Sequence, residues 1–139
     1  VTHEMEKAGV MLDSHLESTL PPVLGDPDQL EQVILNVVMN AIQAMPSGGR
    51  LFVSTSVWHV EYGKPPLAQV RVSDTGSGIP KEVMQKIFDP FFTTKKAVGS
   101  SGLGLSISYR IIEDHKGTVK IESVINKGTS VTIRIPSAA

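Results

Sequence analysis

The segment DPDQLEQVILNVVMNAIQAM, residues 26–45, predicts one long helix with well-defined ends. Asp26 supplies an N-cap carboxylate, Pro27 suits the first helical position, and Asp28 places an acid in the first turn. From residue 30 to residue 45 the apolar residues follow helical spacing, and the proline and glycines that come next end the helix. The segment therefore carries both a start signal and a stop signal.

Five amide side chains form a stripe along this helix. They are spaced three, four, four and three residues apart and fall on one face: Gln29, Gln32, Asn36, Asn40 and Gln43. A solvated face is the ordinary interpretation, but such faces usually carry Lys and Glu, and no Lys or Arg occurs between residues 7 and 50. The alternative is an amide stripe beside a cleft. An Asn oxygen suits one ligand position on a Mg²⁺ ion that takes its other ligands from phosphates and water.

Alternating segments and turn residues on both sides of the helix predict a sheet. Strands are expected at residues 10–16, 21–24, 50–60, 68–72, 118–124 and 130–135, the last two pairs forming hairpins. Shorter helices are expected at residues 80–88 and 103–115, and residues 89–101, which lack periodicity, are expected to form a mobile lid. This order predicts a two-layer α/β (α+β) sandwich, with a mixed, mostly antiparallel sheet of about five strands and three helices on one face.

The composition indicates a single soluble domain. The chain has 139 residues, 40% of them hydrophobic, and a formal net charge of -1, so it lacks the basic surface that nucleic acid or an anionic membrane attracts. The absence of cysteine excludes disulfides and thiolate metal sites, and favours a cytoplasmic setting. The longest apolar run, residues 33–45, is interrupted by amides and is too short to span a bilayer.

The two ends of the chain are expected to be tails. Residues 1–8 are polar and look like the end of an upstream linker, residues 9–136 form the domain, and residues 137–139 are a C-terminal tail. Because the chain begins at Val1 without an initiator Met, we expect a fragment of a longer protein.

The segment DTGSG, residues 74–78, directly follows a predicted strand. The ordinary interpretation is a glycine-rich turn in which Asp74 caps a local amide. The functional interpretation is that the carboxylate accepts a hydrogen bond from an exocyclic amine, while the glycines let the backbone lie flat against an aromatic ring. On that interpretation the segment forms an adenine pocket.

A second glycine-rich segment, GSSGLGL at residues 99–105, leads from the lid into a helix. Glycines before a helix are common, but the backbone N–H groups and the helix dipole of such a segment can face phosphates. It is not a P-loop, because no Gly-Lys-Ser/Thr follows, and it lacks the third glycine and the preceding strand of a Rossmann fingerprint. NAD-binding and P-loop enzymes are therefore disfavoured.

The histidines carry no metal-ligand pattern. All four are scattered along the chain: His3, His15, His59 and His115. His115 lies at the predicted end of a helix and is expected to interact with the helix dipole. None of them is assigned a catalytic role.

Taken together and in order, five segments resemble the sequence boxes of the catalytic domain of sensor histidine kinases, in the superfamily that includes gyrase and the MutL mismatch-repair protein. Residues 28–41 resemble the N box, residues 74–78 the first glycine box, and residues 88–95 the F box. The F-box sequence is most similar to that of nitrogen-regulation-like kinases. Residues 99–105 resemble the second glycine box and residues 127–129 the terminal one. The resemblance covers nearly the whole chain.

The resemblance implies an Mg-ATP site. Asn40 would ligate Mg²⁺, Asp74 would bind the adenine amine, and Thr129 would help to fix a water between Asp74 and adenine. Residues 91–101 would close over the nucleotide. The remaining implied nucleotide contacts are the base-pocket residues Gly76, Gly78 and Ile79, the phosphate-binding backbone of Gly102, Leu103 and Gly104, and the residues Asn36, Phe91, Lys95, Ser101 and Leu105.

Asn36 is the implied catalytic position. The hydrolases of the superfamily carry there a Glu that activates water, whereas an amide has no useful basicity. The resemblance therefore implies a site that presents the γ-phosphate to a histidine acceptor rather than hydrolysing it. Many relatives have a basic residue and an aromatic where this chain has Gln43 and Ala44, so phosphate neutralisation is assigned as a hypothesis to Lys95 or Lys96.

The implied partners lie outside the chain. They are the dimerisation and phosphoacceptor histidine domain of the same full-length kinase and a downstream response regulator, with no nucleic acid and no membrane contact. His3 is too close to the N box to be the acceptor. The domain is expected to be a cytoplasmic monomer, even where the full-length protein is anchored in a membrane. Two alternatives remain: a protein-serine kinase of the anti-sigma type, and a degenerate module that binds nucleotide without catalysis.

Overall fold

The computed structural model describes residues 2–59, 62–84 and 104–137. Their strands form one five-stranded sheet in the order β1-β2-β3-β5-β4. The elements, in chain order, are α1 (Thr2–Ala8), β1 (Val10–His15), α2 (Pro27–Gln43), β2 (Gly49–Trp58), β3 (Leu67–Asp74), α3 (Lys81–Met84), α4 (Gly104–Asp114), β4 (Thr118–Val124) and β5 (Gly128–Pro136).

The sheet is mixed and mostly antiparallel. β1 and β2 run parallel and are joined through α2, and the other three neighbouring pairs are antiparallel. The helices pack on one face, where α2 and α4 also contact each other. Val33 of α2, Leu51 of β2 and Ile112 of α4 are each 1% exposed, at the centre of this core. The predicted two-layer sandwich is confirmed.

The start of α2 follows the sequence signals. The Asp26 carboxylate accepts hydrogen bonds from the backbone N–H groups of Asp28, at 2.9 Å, and Gln29, at 3.3 Å, and Pro27 opens the helix. The buried side of α2 consists of Val33, Val37, Val38, Ala41 and Ile42. This packing fixes the amide stripe on the other side of the helix.

His115 joins the end of α4 to the start of α2. Its Nδ1 lies 2.7 Å from the carbonyl oxygen of Ile111, and the backbone N–H of Asp26 donates to its Nε2 at 3.1 Å. A carbonyl only accepts and an N–H only donates, so this geometry requires a neutral ring with its proton on Nδ1. His115 therefore acts through two directed hydrogen bonds, one of them to a carbonyl of the last turn of α4, the helix end at which the sequence placed it.

We predict that His115→Phe lowers the free energy of unfolding by about 2 kcal/mol, because it keeps a ring but removes both hydrogen bonds. The measurement is urea denaturation followed by circular dichroism. His59→Phe is the control, because His59 is exposed and should change stability by less than about 0.5 kcal/mol. Equal stability of the two variants would contradict the linking role.

Two segments differ from the sequence-based expectation. Residues 21–24 do not form a strand: Val23 makes an isolated bridge with Ser137, and the prolines before it lack the N–H groups that a ladder needs. Residues 2–8, which we expected to be a polar tail, form α1, and Met5 and Ala8 pack against the core. The short α1 had no periodicity long enough to reveal it.

Other bounds differ by a few residues. β3 extends to Asp74 rather than ending at residue 72, and α2 ends at Gln43, with Ala44 as its C-cap. The predicted helix at residues 80–88 is observed as α3, and its last part and the expected lid lie outside the described residues. Within the described ranges, no helix is both long enough and apolar enough to cross a membrane.

Candidate functional site

A row of polar side chains crosses the helix-facing side of the sheet at one end. Asp74, the last residue of β3, is paired with Leu51 on β2 and with Thr129 on β5. Thr129 is in turn paired with Ser123 on β4. Because directly paired residues point to the same face, Asp74, Thr129 and Ser123 lie side by side on three neighbouring strands. The sheet thus builds a polar end on an otherwise apolar face.

The Asp74 carboxylate is fixed at the start of the loop that follows β3. Asp74 is 9% exposed, and its Oδ1 accepts a hydrogen bond from the backbone N–H of Gly76 at 2.8 Å. This is the local capping that the ordinary interpretation predicted. A carboxylate has about four acceptor positions, so capping one amide and binding a ligand donor are compatible roles.

The loop after Asp74 is tied to the end of α2 on one side. The Thr75 hydroxyl accepts from the backbone N–H of Arg50 at 3.0 Å and donates to the Met45 sulfur at 3.7 Å. The backbone N–H of Ser77 donates to the carbonyl oxygen of Ala44 at 3.3 Å. The loop is therefore held against the C-terminal turn of the amide-bearing helix.

The same loop is tied to the β4–β5 hairpin on its other side. The backbone N–H of Asn126 donates to the carbonyl oxygen of Ser77 at 2.8 Å. The backbone N–H of Ile79 donates to the Ser123 hydroxyl at 2.7 Å. Three separate parts of the chain, the end of α2, the start of β2 and the β4–β5 hairpin, thus hold a loop of only a few residues in place.

The two glycines of the loop are required by packing against the protein itself. A Cβ on Gly76 would lie 2.5 Å from the carbonyl oxygen of Ala44 and 2.9 Å from the Oδ1 of Asp74. Gly78 has a φ of 77°, and a Cβ there would overlap the backbone of Val124 and Ile125. The glycines therefore let the loop fit between α2 and the hairpin, and their contact with an adenine ring stays a prediction.

The amide stripe passes from solvent toward this loop. Gln29 and Gln32 are exposed, whereas Asn36, Asn40 and Gln43 are half-buried. Asn40 lies one helical turn before Ala44, the residue that contacts the loop, and therefore on the same side of α2. Within the described residues, the buried Oε1 of Gln43 has no hydrogen-bond partner.

Asn36 connects α2 to α4. Its Nδ2 donates to the hydroxyl of Ser108 at 3.4 Å, a long and therefore weak hydrogen bond, and Ser108 is buried. This contact links the amide stripe to the helix that begins at Gly104. Leu105, the next residue of that helix, is half-buried.

Several predicted site residues lie outside the described residues: Phe91, Lys95, Lys96, Ser101, Gly102 and Leu103. The structure does bring together Asp74, Gly76, Gly78 and Thr129, and it sets the half-buried side of α2 against their loop. Ile79 takes part through its backbone N–H.

Sequence reasoning missed Ser123. In β4 the half-buried positions alternate with exposed ones, and Ser123 occupies the inward position after Val119 and Ile121. A serine in the apolar register of an alternating strand was the available signal. Its hydroxyl lies 2.9 Å from the Thr129 Oγ1, so it belongs to the site.

The two-layer sandwich thus places a buried carboxylate at a strand end, with a glycine loop and an amide-bearing helix beside it. Residues 25–139 match the family described as histidine kinase-, DNA gyrase B-, and HSP90-like ATPase. The chain belongs to this family, and its relatives are two-component sensor kinases.

Among these relatives, sporulation kinase E of Bacillus subtilis is 35% identical over 93% of the chain, and the histidine-protein kinase AtoS of Escherichia coli is 38% identical over 94%. The chain spans only 16% of the length of the first relative and 20% of the length of the second.

Solved structures give the same family. The nucleotide-free catalytic domain of histidine kinase ThkA has a TM-score of 0.79 and 32% identity, with 98% of this chain and 86% of that chain covered. Full-length ShkA in complex with AMPPNP has a TM-score of 0.79 and 25% identity, with 99% of this chain and 28% of that chain covered.

Proposed function

We propose that this domain binds Mg-ATP and donates the γ-phosphate to a histidine on a separate dimerisation and phosphoacceptor domain. From that histidine the phosphoryl group then passes to a response regulator. The observation that carries the proposal is the pairing of Asp74 with Thr129 beside a loop that is anchored to α2. The complex of ShkA with AMPPNP supports ATP as the nucleotide. In the cell, such a domain acts on the cytoplasmic side.

The polar groups around Asp74 are suited to binding adenine. The carboxylate would accept a hydrogen bond from the exocyclic amine, and a water held by the Thr129 hydroxyl would join Asp74 to the ring. Because Asp74 is nearly buried, a hydrogen bond to it is worth more than one in open solvent. Guanine and hypoxanthine carry a carbonyl in place of that amine and would leave the carboxylate facing an acceptor.

The donor set along α2 suits magnesium. Asn40 offers a neutral, hard oxygen, and no group of three or more His, Cys, Asp or Glu side chains in the described residues is placed to hold a metal. One amide oxygen is the kind of protein contribution a Mg²⁺ ion needs when phosphates and water supply its other ligands. When bound, the ion would neutralise charge on the phosphates.

The amide at Asn36 favours transfer of the γ-phosphoryl group over hydrolysis of ATP. Its amide has no basicity with which to activate water, and its nitrogen is directed to Ser108. A nucleophilic histidine on the acceptor domain needs no such base. Asn36 would therefore help to position the γ-phosphate, and Lys95 or Lys96 would neutralise the phosphates.

The test supplies the missing acceptor. The chain is incubated with γ-labelled ATP and the phosphoacceptor domains of sensor kinases such as AtoS and ZraS. Acid-labile, base-stable phosphate on the acceptor is expected, because a phosphohistidine has a P–N bond. Acid-stable phosphate on a serine substrate would favour the anti-sigma alternative. ATP binding without transfer to any acceptor would favour a degenerate module.

We predict that Asn40→Ala removes the magnesium dependence of nucleotide binding. In calorimetry with Mg²⁺, ADP affinity should fall about tenfold, to the value of the unsubstituted chain in EDTA. Gln32→Ala is the matched control, because Gln32 lies on the same stripe but is exposed. An Asn40→Ala variant that still responds to Mg²⁺ would place the metal ligand elsewhere.

A further inference from the structure

Ser123 lies between the loop after β3 and the start of β5, the two elements that border the proposed adenine pocket. Its Oγ lies 2.7 Å from the backbone nitrogen of Ile79, 2.9 Å from the Oγ1 of Thr129 and 3.2 Å from the carbonyl oxygen of Gly128. These three partners come from the loop after β3 and from the start of β5. One hydroxyl therefore contacts both elements.

The hydrogen-bond roles around Ser123 follow from chemistry. Ile79 offers an N–H, so Ser123 must accept there, and this leaves its single proton for Gly128 or Thr129. Whichever partner takes the proton, the Thr129 hydroxyl lies within hydrogen-bond distance of a fixed oxygen. The orientation of Thr129 is thus coupled to the position of the loop.

We propose that Ser123 is a positioning residue for adenine recognition, acting by fixing the Thr129 hydroxyl opposite Asp74 and the far end of the glycine loop. This inference rests on the proposed nucleotide-binding function. Ser123 does not touch the base itself. Its contribution is to hold the loop after β3 and the start of β5 in one geometry.

The chain contains a matched control. Ser130 lies next to Thr129 on β5, and its hydroxyl is 2.8 Å from the Ser73 hydroxyl. Because neighbouring strand residues alternate in direction, this pair lies on the opposite face of the sheet from Ser123. Ser130→Ala therefore removes a comparable half-buried hydrogen bond from the same sheet without touching the pocket.

The experiment measures the binding of ADP and inosine diphosphate to the whole chain by calorimetry. Inosine diphosphate lacks the exocyclic amine, so the unsubstituted chain should prefer ADP by about 100-fold. Ser123→Ala should weaken ADP binding about tenfold and inosine diphosphate binding much less, so that the preference falls to about tenfold. Ser130→Ala should leave both affinities and the preference unchanged.

Two further measurements separate positioning from general stability. Ser123→Thr keeps the hydroxyl and should restore most of the ADP affinity. Amide hydrogen exchange at Ile79 should become faster in Ser123→Ala and stay slow in Ser130→Ala, because only the first loses the acceptor of that N–H.

The opposing outcomes are distinct. Equal weakening of both nucleotides by Ser123→Ala, or a Ser123→Thr variant no better than Ser123→Ala, would reduce Ser123 to a packing residue and overturn the inference. If the unsubstituted chain bound no ADP at all, the proposed function itself would fail. Normal ADP binding with an unchanged preference in Ser123→Ala would remove only the role of Ser123.

Discussion

The Asp74→Asn variant should bind ADP at least about 100-fold more weakly than the unsubstituted chain, while keeping its fold. An Asn oxygen can still accept the N–H of Gly76, so the loop keeps its cap. The new amide nitrogen, however, is a donor and would face the donor of the adenine amine. Loss of a charge-assisted bond and a mismatched buried polar group together cost about 3 kcal/mol or more.

Calorimetry on Asp74→Asn should be paired with thermal unfolding. Asp13→Asn is the control, because it makes the same chemical change at an exposed position on β1. Both variants should melt within a few degrees of the unsubstituted chain, and only Asp74→Asn should lose nucleotide binding. ADP binding that survives in Asp74→Asn would mean that the base is recognised elsewhere.

The parts of the fold that depend on local signals were predictable from sequence. The Asp26 cap, the apolar spacing of α2 and the turn residues of the two hairpins each act over a few residues, and the structure has each of these elements close to its predicted bounds. The same holds for the position of Asp74 directly at the end of a strand. Such features need no knowledge of distant contacts.

The assembly of the site was not predictable in the same way. The pairing of Asp74 with Thr129, and of Thr129 with Ser123, depends on the order and register of strands that are far apart in the chain. The local sequence of β4 does not indicate that Ser123 will contact the loop after β3. The resemblance to histidine kinases suggested Thr129 but gave no role to Ser123.

The two segments that differ from the local sequence pattern have a similar cause. Extended residues with two prolines satisfy a strand pattern locally, yet only Val23 finds a partner, in Ser137. The polar composition of residues 2–8 is typical of a chain terminus, yet Met5 and Ala8 of α1 pack against the core. In both cases tertiary contacts decide the structure, and a local pattern cannot contain that information.

The packing of the loop predicts that this end of the sheet tolerates few substitutions. Ser77 and Asn126 bond through their backbones, and Gly76 and Gly78 have no room for side chains. We therefore expect nucleotide affinity and fold stability to change together when residues at this end of the sheet are substituted. The closest approach is at Gly128, where β5 begins beside the carbonyl group of Asp74.

Gly128→Ala should have the largest effect on stability. Gly128 has a φ of 133°, which side chains rarely adopt, and an added Cβ would overlap the Asp74 carbonyl oxygen and lie 3.2 Å from the Cα of Thr75. Neither neighbour can rotate away, because both are backbone atoms. We expect a loss of about 3 kcal/mol in the free energy of unfolding, measured by urea denaturation.

Gly63→Ala separates the two causes of that loss. Gly63 has a φ of 84°, and a Cβ there would meet no atom within 4 Å, so it reports the backbone penalty alone, about 1 kcal/mol. The excess in Gly128→Ala then reports the close approach of β5 to Asp74 together with the less favourable φ of Gly128. Equal stability of the two variants would mean that Gly128 does not pack closely against the backbone of Asp74. Asp74 and Thr129 would then not be held in the fixed geometry that nucleotide recognition requires.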